Sequence, residues 1–120
     1  MRFLHYKNNG MARLAVEIEE KRYDVAALCG IDTFDFDQLL KGGEEAIDAI
    51  AESLTDTLAA EKAEISGEIE YAPSVPNPGK ILCIGLNYFA HGEEVKMYMP
   101  STPTVFSKFN NALAANNEEI

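Results

Sequence analysis

Ala12-Arg13-Leu14-Ala15-Val16-Glu17-Ile18 is the segment from which the architecture of the first half of the chain follows. Its large apolar side chains alternate with arginine and glutamate, which is the period of a strand with one buried face. Further strands are predicted on either side of it, from Arg2 to Tyr6 and from Arg22 to Leu28. Asn8-Asn9-Gly10 and Glu19-Glu20-Lys21 supply turn residues between them, so the three strands are expected to form a meander.

Two helices are predicted after the meander. The first is short, from Phe36 to Leu40, and is entered through Asp32 or Thr33, while the second runs from Glu44 to about Ala60. Apolar residues recur at helical spacing along the second helix and indicate a stripe that faces the core: Ile47, Ile50, Ala51, Leu54 and Leu58. A small sheet covered by helices makes residues 1–71 an α+β domain.

A proline-rich segment separates this domain from the rest of the chain. Residues 72–79 read Ala-Pro-Ser-Val-Pro-Asn-Pro-Gly, a composition that fits neither a helix nor a central strand. We therefore predict a linker here and a domain boundary with it. No internal repeat is visible in the sequence.

The second domain is predicted to begin with a strand suited to a deep core. Lys80-Ile81-Leu82-Cys83-Ile84-Gly85 is almost uninterrupted in its apolar character, which is typical of a strand covered on both faces. A second strand, from Thr104 to Lys108, follows a loop that contains prolines. Because two strands do not make a buried sheet, residues 80–120 are interpreted as the incomplete start of a larger domain. Further polypeptide or a partner chain would cover the apolar strand.

Composition and charge exclude several kinds of partner. Twenty acidic against ten basic residues give a net charge of -10, and the cations are scattered, which disfavours nucleic acid and anionic membrane surfaces. Cys29 and Cys83 lie in apolar stretches and are predicted to be buried thiols in a reducing compartment. The first residues lack the apolar run of a signal peptide, and no segment is long enough to span a membrane. A cytoplasmic protein is expected.

The segment after the apolar strand carries the candidate catalytic groups. If residues 88–95 are helical, His91 and Glu94 lie three residues apart on one face, while Glu93 points well away. A carboxylate bonded to one imidazole nitrogen fixes the tautomer and leaves the other nitrogen free to accept a proton from water. The spacing thus outlines a general-base pair. A surface ion pair is the alternative interpretation of the same two residues.

The order of the motifs adds a family resemblance. Pro76-Asn77-Pro78-Gly79-Lys80-Ile81-Leu82-Cys83-Ile84-Gly85-Leu86-Asn87-Tyr88, then His91 and Glu94, then Phe106-Ser107-Lys108, resembles the fumarylacetoacetate hydrolase family. Members of that family typically read Pro-Gly-Lys-Ile, a hydrophobic pair, Gly-Leu-Asn-Tyr, a spaced His and Glu, and a Phe-x-Lys strand. Residues 1–71 also resemble the small domain that precedes the catalytic domain in many bacterial members.

The resemblance implies a rolled, mostly antiparallel β catalytic domain in a usually dimeric enzyme, with Mg2+ or Mn2+ held by acidic side chains. The metal would chelate a 2-oxo acid or β-dicarbonyl substrate. His91 and Glu94 would activate water or move a proton during carbon–carbon bond cleavage, decarboxylation, isomerisation or hydration. Lys108 would stabilise an enolate and Tyr88 would contact the substrate, in reactions that include aromatic catabolism. On strand position alone, Lys108 could equally be an exposed lysine at a strand end.

The chain also departs from the family pattern. No counterpart of the acidic metal-binding motif precedes Ile120, so no metal ligands are assigned. Glu118 and Glu119 are expected in a solvated tail rather than at a metal. Phe109-Asn110-Asn111 replaces the proline and small residues common after the family's lysine.

Two functional interpretations follow. The first is part of a metal-dependent hydrolase, decarboxylase or isomerase, in which case this chain alone neither binds Mg2+ specifically nor turns over acylpyruvates or oxaloacetate. The second is a non-catalytic interaction module that associates with itself or with a full-length relative through its apolar strand. A homo-oligomer is expected under both.

Overall fold

Helices and antiparallel strands together give the chain an α+β fold, which confirms the predicted class. The computed structural model describes residues 1–96, 98 and 100–119, and for residue 91 only the backbone. The described residues fall into two compact units, one of Met1–Pro76 with residues 114–119 and one between Asn77 and Leu113. Residues 114–119 thus group with the first unit, whereas the sequence placed them with the second domain.

The first unit is built on the predicted meander. Strands β1 (Arg2–Asn8), β2 (Met11–Ile18) and β3 (Lys21–Asp24) pair antiparallel in that order. Short bridges extend both edges of this sheet, because Tyr71 pairs with Tyr6 of β1 and Glu64 pairs with Tyr23 of β3. Both outer strands therefore have backbone partners along part of their length.

Helices cover one face of the sheet. They are α1 (Val25–Leu28), α2 (Phe36–Ser53) and α3 (Thr57–Ala63). The buried core combines the inward side chains of β2 with residues of all three helices: Leu14, Val16, Val25, Leu28, Leu39, Ile50 and Ala63. The alternation seen in the β2 sequence thus identified the buried face.

The predicted strand from Arg22 to Leu28 is wrong in its second half. β3 ends at Asp24, whose carboxylate accepts a hydrogen bond from the Ala27 amide at 2.8 Å and caps α1. A capping carboxylate satisfies an amide that a new helix would otherwise leave without a partner. One apolar run therefore divides into a strand and a short helix.

The boundaries of the two later helices also differ from the prediction. α2 runs continuously from Phe36 to Ser53 with a kink at Gly43 (φ 54, ψ -133), and its cap is Asp35 rather than Asp32 or Thr33. The predicted helix to Ala60 is interrupted because Asp56 accepts from the amides of Leu58 and Ala59 and starts α3. Leu58, assigned to the core stripe, is consequently 68% exposed.

The turn between β2 and β3 is strained by its sequence. Glu19 and Glu20 have φ values of 50° and 67° in a two-residue hairpin turn. That geometry favours Asn-Gly, which the β1–β2 turn already has at Asn9-Gly10. Exchanging Glu19 for asparagine and Glu20 for glycine should raise the free energy of unfolding by about 1–2 kcal/mol.

Urea denaturation of the chain checks this turn prediction. The reverse exchange, Asn9→Glu with Gly10→Glu, serves as the matched control and should lower the free energy of unfolding by a similar amount. An E19N/E20G variant with the same denaturation midpoint as the wild type would show that the two glutamates are not strained.

The second unit is a hairpin with a short helix in its connection. β4 (Ile81–Gly85) and β5 (Thr104–Lys108) pair antiparallel, α4 (Phe89–Glu94) lies between them in sequence, and a 3-10 turn follows at Asn110–Ala112. Within the described residues β4 pairs with β5 alone. Leu82, Ile84 and Val105 are 66%, 48% and 57% exposed, so the burial predicted for this strand is not supplied by the described chain.

The two cysteines of the chain belong to different units. Cys29 and Cys83 are both free thiols but are half-buried rather than buried. Burial raises the pKa of the Cys29 thiol above its usual value, although a hydrogen bond with Ser53 opposes the shift. Among the described residues, no helix has the length and apolar character needed to cross a membrane.

Candidate functional site

The candidate site begins where β4 leaves the hairpin. The predicted helix over residues 88–95 is present as α4, from Phe89 to Glu94, and its first turn closes through a hydrogen bond from the Gly92 amide to the Tyr88 carbonyl at 3.2 Å. Tyr88 lies just before the helix with 72% of its surface exposed. Its phenol is therefore accessible in this chain, as a substrate contact requires.

The two members of the proposed base pair both belong to α4. Glu94 follows His91 by three residues in a helical backbone, so the spacing on which the pairing rests is present. The side chain of His91 lies outside the described residues. Glu94 is exposed, as is the neighbouring Glu93. The catalytic assignments of His91 and Glu94 stay predictions.

Lys108 lies at the end of the hairpin opposite to the one from which the chain leaves β4 towards α4. The strand register pairs Lys108 with Ile81, the first residue of β4, whereas Gly85 at the other end pairs with Thr104. Four residue steps along a strand correspond to about 14 Å. The register therefore places Lys108 four residue steps along the hairpin from Gly85, after which the chain turns towards Tyr88 and α4.

Glu118 and Glu119, near the end of the chain, are predicted from the sequence to lie in a solvated tail rather than at a metal. Glu118 instead accepts hydrogen bonds from the Ala115 amide at 2.9 Å and from Lys7 Nζ at 2.6 Å. Hydrogen bonds from the Ala115 amide and then from Lys7 lower the pKa of Glu118. The hydrogen bonds that Lys7 donates to Glu118 and Glu70 raise the pKa of Lys7 to about 12. Glu118 is thus held in an ion pair rather than in a solvated tail.

No metal site is formed by the part of the chain that the structure describes. Within it, no group of three or more His, Cys, Asp or Glu side chains is arranged to hold an ion. The residues present therefore do not fit the Mg2+ or Mn2+ that the family resemblance implies.

The first unit contains a buried polar cluster that was not predicted from the sequence. Asp24 accepts from Arg13 Nε at 2.6 Å, from a second Arg13 nitrogen at 2.8 Å and from the Tyr6 hydroxyl at 2.7 Å. Burial alone would raise the pKa of Asp24, but bonds from Arg13, Ala27 and Tyr6 lower it overall. Burial, followed by the bond to Asp24, raises the pKa of Tyr6 to about 12. The register of the strands, which the sequence does not specify, creates this cluster.

His5 is the other buried titratable group in the first unit. Its Nδ1 lies 3.1 Å from the carbonyl oxygen of Ser74, and its ring meets Phe36 edge-on at 5.8 Å. Burial lowers the pKa of His5, while the bond to Ser74 opposes that shift. A cavity of about 420 Å³ lies beside His5. These contacts attach the proline-rich segment to the sheet and give His5 a structural role.

Comparisons with known proteins identify relatives of the chain. No family model matches it. It is 58% identical over 43 residues to the "Fumarylacetoacetate hydrolase domain-containing protein 2 homolog" of Dictyostelium discoideum, a match covering 36% of this chain and 14% of that protein. It is 29% identical over 83 residues to the mitochondrial oxaloacetate tautomerase Fahd2a of Rattus norvegicus, covering 69% of this chain and 26% of the relative.

A solved structure gives a weaker likeness. A fumarylacetoacetate hydrolase from psychrophilic Exiguobacterium antarcticum superposes with a TM-score of 0.46 and 17% identity, over 92% of this chain and 36% of that one. The chain thus spans only a minor part of the proteins that it matches.

Proposed function

We propose that the chain belongs to the fumarylacetoacetate hydrolase family and supplies the N-terminal unit and the first hairpin of an enzyme that acts on 2-oxo acids or β-dicarbonyl compounds. The observation that carries this proposal is the 58% identity over 43 residues to a family member. The helix that begins shortly after β4 supports it, because this helix gives His91 and Glu94 the spacing of a base pair.

The chemistry common to these substrates is removal or delivery of a proton beside a carbonyl group. A neutral imidazole suits this step, since its unperturbed pKa of about 6.5 lies close to physiological pH. We assign His91 as the group that accepts the proton and Glu94 as the carboxylate that fixes its tautomer. Tyr88 is assigned to contact the substrate from the segment just before the helix.

Oxaloacetate tautomerisation is the first reaction to test, because the rat relative is named an oxaloacetate tautomerase. In the keto-to-enol direction the base removes a proton from C3, and the C2 oxygen of the resulting enolate takes up a proton. No atom is gained or lost. The same base could serve hydrolysis of an acylpyruvate, in which water adds to the acyl carbonyl, the C3–C4 bond breaks and the pyruvate enolate is protonated at C3.

The remaining parts of the proposal concern a longer protein that carries this chain. Acidic residues outside the described ones would hold Mg2+ or Mn2+ there, and the bound ion would supply Lewis-acid chemistry. Lys108, at the end of β5, would stabilise the enolate as a fixed cation beside the substrate. A homodimer in the cytoplasm is proposed as well; the rat relative is named as mitochondrial.

The test is metal-dependent turnover. A longer protein with this chain at its start should accelerate loss of the ultraviolet absorbance of enol-oxaloacetate when Mg2+ or Mn2+ is added, and EDTA should abolish the effect. The 120-residue chain alone should not accelerate this loss of absorbance when Mg2+ or Mn2+ is added, and it should show no specific Mg2+ binding by calorimetry. A longer protein inactive on both oxaloacetate and acylpyruvates would refute the proposal, as would metal-dependent turnover by the short chain.

An interaction module is the second candidate, favoured by the exposed apolar side chains of Leu82, Ile84 and Val105 on the hairpin. Leu82 and Ile84 are two residues apart in β4, and Val105 is paired with Ile84, so the three side chains lie on one face of the hairpin. A monodisperse oligomer of the short chain that melts cooperatively would support this role. Aggregation or partial unfolding would favour the enzyme.

A further inference from the structure

One apolar residue of the candidate site has a backbone conformation that its side chain disfavours. Leu86 has φ of +50°. Among the described residues the other non-glycine positions with positive φ are exposed polar ones: Asn9, Glu19, Glu20, Lys96 and Asn117. Leu86 is half-buried and branched, so solvent and side-chain hydrogen bonds do not compensate its left-handed backbone.

Leu86 lies at the point where the chain turns from β4 towards α4. It follows Gly85, the last residue paired with β5, and only two residues separate it from α4. Gly85 could adopt positive φ at no steric cost, yet its φ is ordinary and the next residue takes the strained conformation. The turn is therefore specified at Leu86 and not at the glycine.

The backbone conformation of Leu86 determines the direction of α4, the helix that carries both residues of the proposed base pair. The Gly92 amide donates to the Tyr88 carbonyl, which fixes the first turn of α4 relative to the segment that Leu86 turns. His91 precedes Gly92, and Glu94 lies further along the same helix. A change of φ at Leu86 from positive to negative would redirect α4 and both residues with it.

We propose that the left-handed backbone of Leu86 is a positioning element that aims α4 at the substrate; this inference rests on the proposed function. Strained residues persist at functional sites when geometry matters more than local stability. Leu86 acts through the backbone and touches no reacting atom, so it is a positioning residue.

Three substitutions separate the backbone role from packing of the leucine side chain. Leu86→Asn and Leu86→Gly both tolerate positive φ, and asparagine also keeps the branching pattern of leucine. Leu86→Val keeps apolar character, but its branched Cβ opposes positive φ. In the longer enzyme, the Asn and Gly variants should keep kcat within about threefold, while Val should lower kcat by about 100-fold with little change in KM.

The 120-residue chain provides a readout that does not depend on activity. Hydrogen exchange of the Gly92 amide, measured by NMR, should be unchanged in Leu86→Asn and about tenfold faster in Leu86→Val. Asn117→Val places the same branched residue at another positive φ, outside the hairpin, and should leave Gly92 exchange unchanged. Protection of the Val16 amide in β2 confirms that each variant retains the first unit.

The outcomes distinguish the two proposals. If the wild-type longer protein is inactive, the proposed function fails, and Gly92 exchange alone decides whether Leu86 fixes the helix. The positioning role of the left-handed backbone is overturned if Leu86→Val has the kcat and the Gly92 exchange rate of the wild type. It is also overturned if Leu86→Asn and Leu86→Gly lose as much protection of the Gly92 amide as Leu86→Val does.

Discussion

His91→Gln is expected to lower kcat for oxaloacetate by about 10²–10⁴-fold in a longer protein that carries this chain, because general-base catalysis contributes roughly that factor. Glutamine keeps hydrogen-bonding capacity near the imidazole position but does not accept a proton at neutral pH. KM should change little, since the imidazole acts mainly in the transition state. Steady-state kinetics at saturating Mg2+ measure both constants.

The neighbouring carboxylates of α4 supply a matched pair of controls for this prediction. Glu94→Gln removes the proposed partner of His91 and should also lower kcat, whereas Glu93→Gln removes the same charge one residue earlier and should leave kcat within about twofold. Equal kcat values in the His91 variant and the wild type would show that another group accepts the proton. Equal losses in both glutamate variants would indicate a general effect of charge.

Asp24→Ala is expected to have the largest effect on stability, lowering the free energy of unfolding by about 3–5 kcal/mol. The substitution leaves the partly buried Arg13 guanidinium and the Tyr6 hydroxyl without their acceptor. It also removes the cap of α1, because the Ala27 amide loses its bond. Urea denaturation of the chain, followed by circular dichroism, measures the change.

A conservative variant and an exposed ion pair define the controls for Asp24. Asp24→Asn preserves the shape and the cap but loses the charge, so it should destabilise less than alanine. Lys21→Ala removes an exposed pair with Glu64 at 3.4 Å and should cost less than about 1 kcal/mol. An Asp24→Ala effect no larger than that of Lys21→Ala would show that the buried cluster does not stabilise the fold.

The lowered pKa of Asp24 also predicts the direction of a pH dependence. A carboxyl group whose pKa is lower in the folded state contributes stability that is fully present above its unfolded pKa. That contribution is lost as pH falls from the usual value of 3.8 through the folded value. The difference in stability between wild type and Asp24→Asn should therefore shrink on acidification over this range.

Local patterns explain which parts of the fold were predicted. Alternation in β2 identified both the strand and its buried face, because a period of two residues is visible in a single segment. The same apolar pattern could not separate β3 from α1, since Asp24 serves as the last strand residue and as the helix cap. The break before α3 was not predicted for a related reason. In the sequence Asp56 fits a polar position of one continuous helix, whereas in the structure its carboxylate accepts hydrogen bonds from two amides and begins a new helix.

The candidate site shows a similar division between local and long-range information. Spacing within one segment was enough to place His91 and Glu94 on a common helix. The position of Lys108 depends on which residue it faces across the hairpin. The residue pattern of β5 alone does not specify its register with β4. The cluster around Asp24 depends on register in the same way, because Tyr6 faces Arg13 across β1 and β2 while Asp24 comes from β3.

Deuterium incorporation at C3 of oxaloacetate tests most directly whether α4 carries the catalytic base. Proton NMR in D2O follows this exchange in the longer protein with Mg2+. The wild type and Glu93→Gln are expected to accelerate exchange equally, and His91→Gln is expected to slow the catalysed exchange by about 10²–10⁴-fold. Exchange by His91→Gln as fast as by the wild type would contradict the account, because proton transfer at C3 would then proceed without His91.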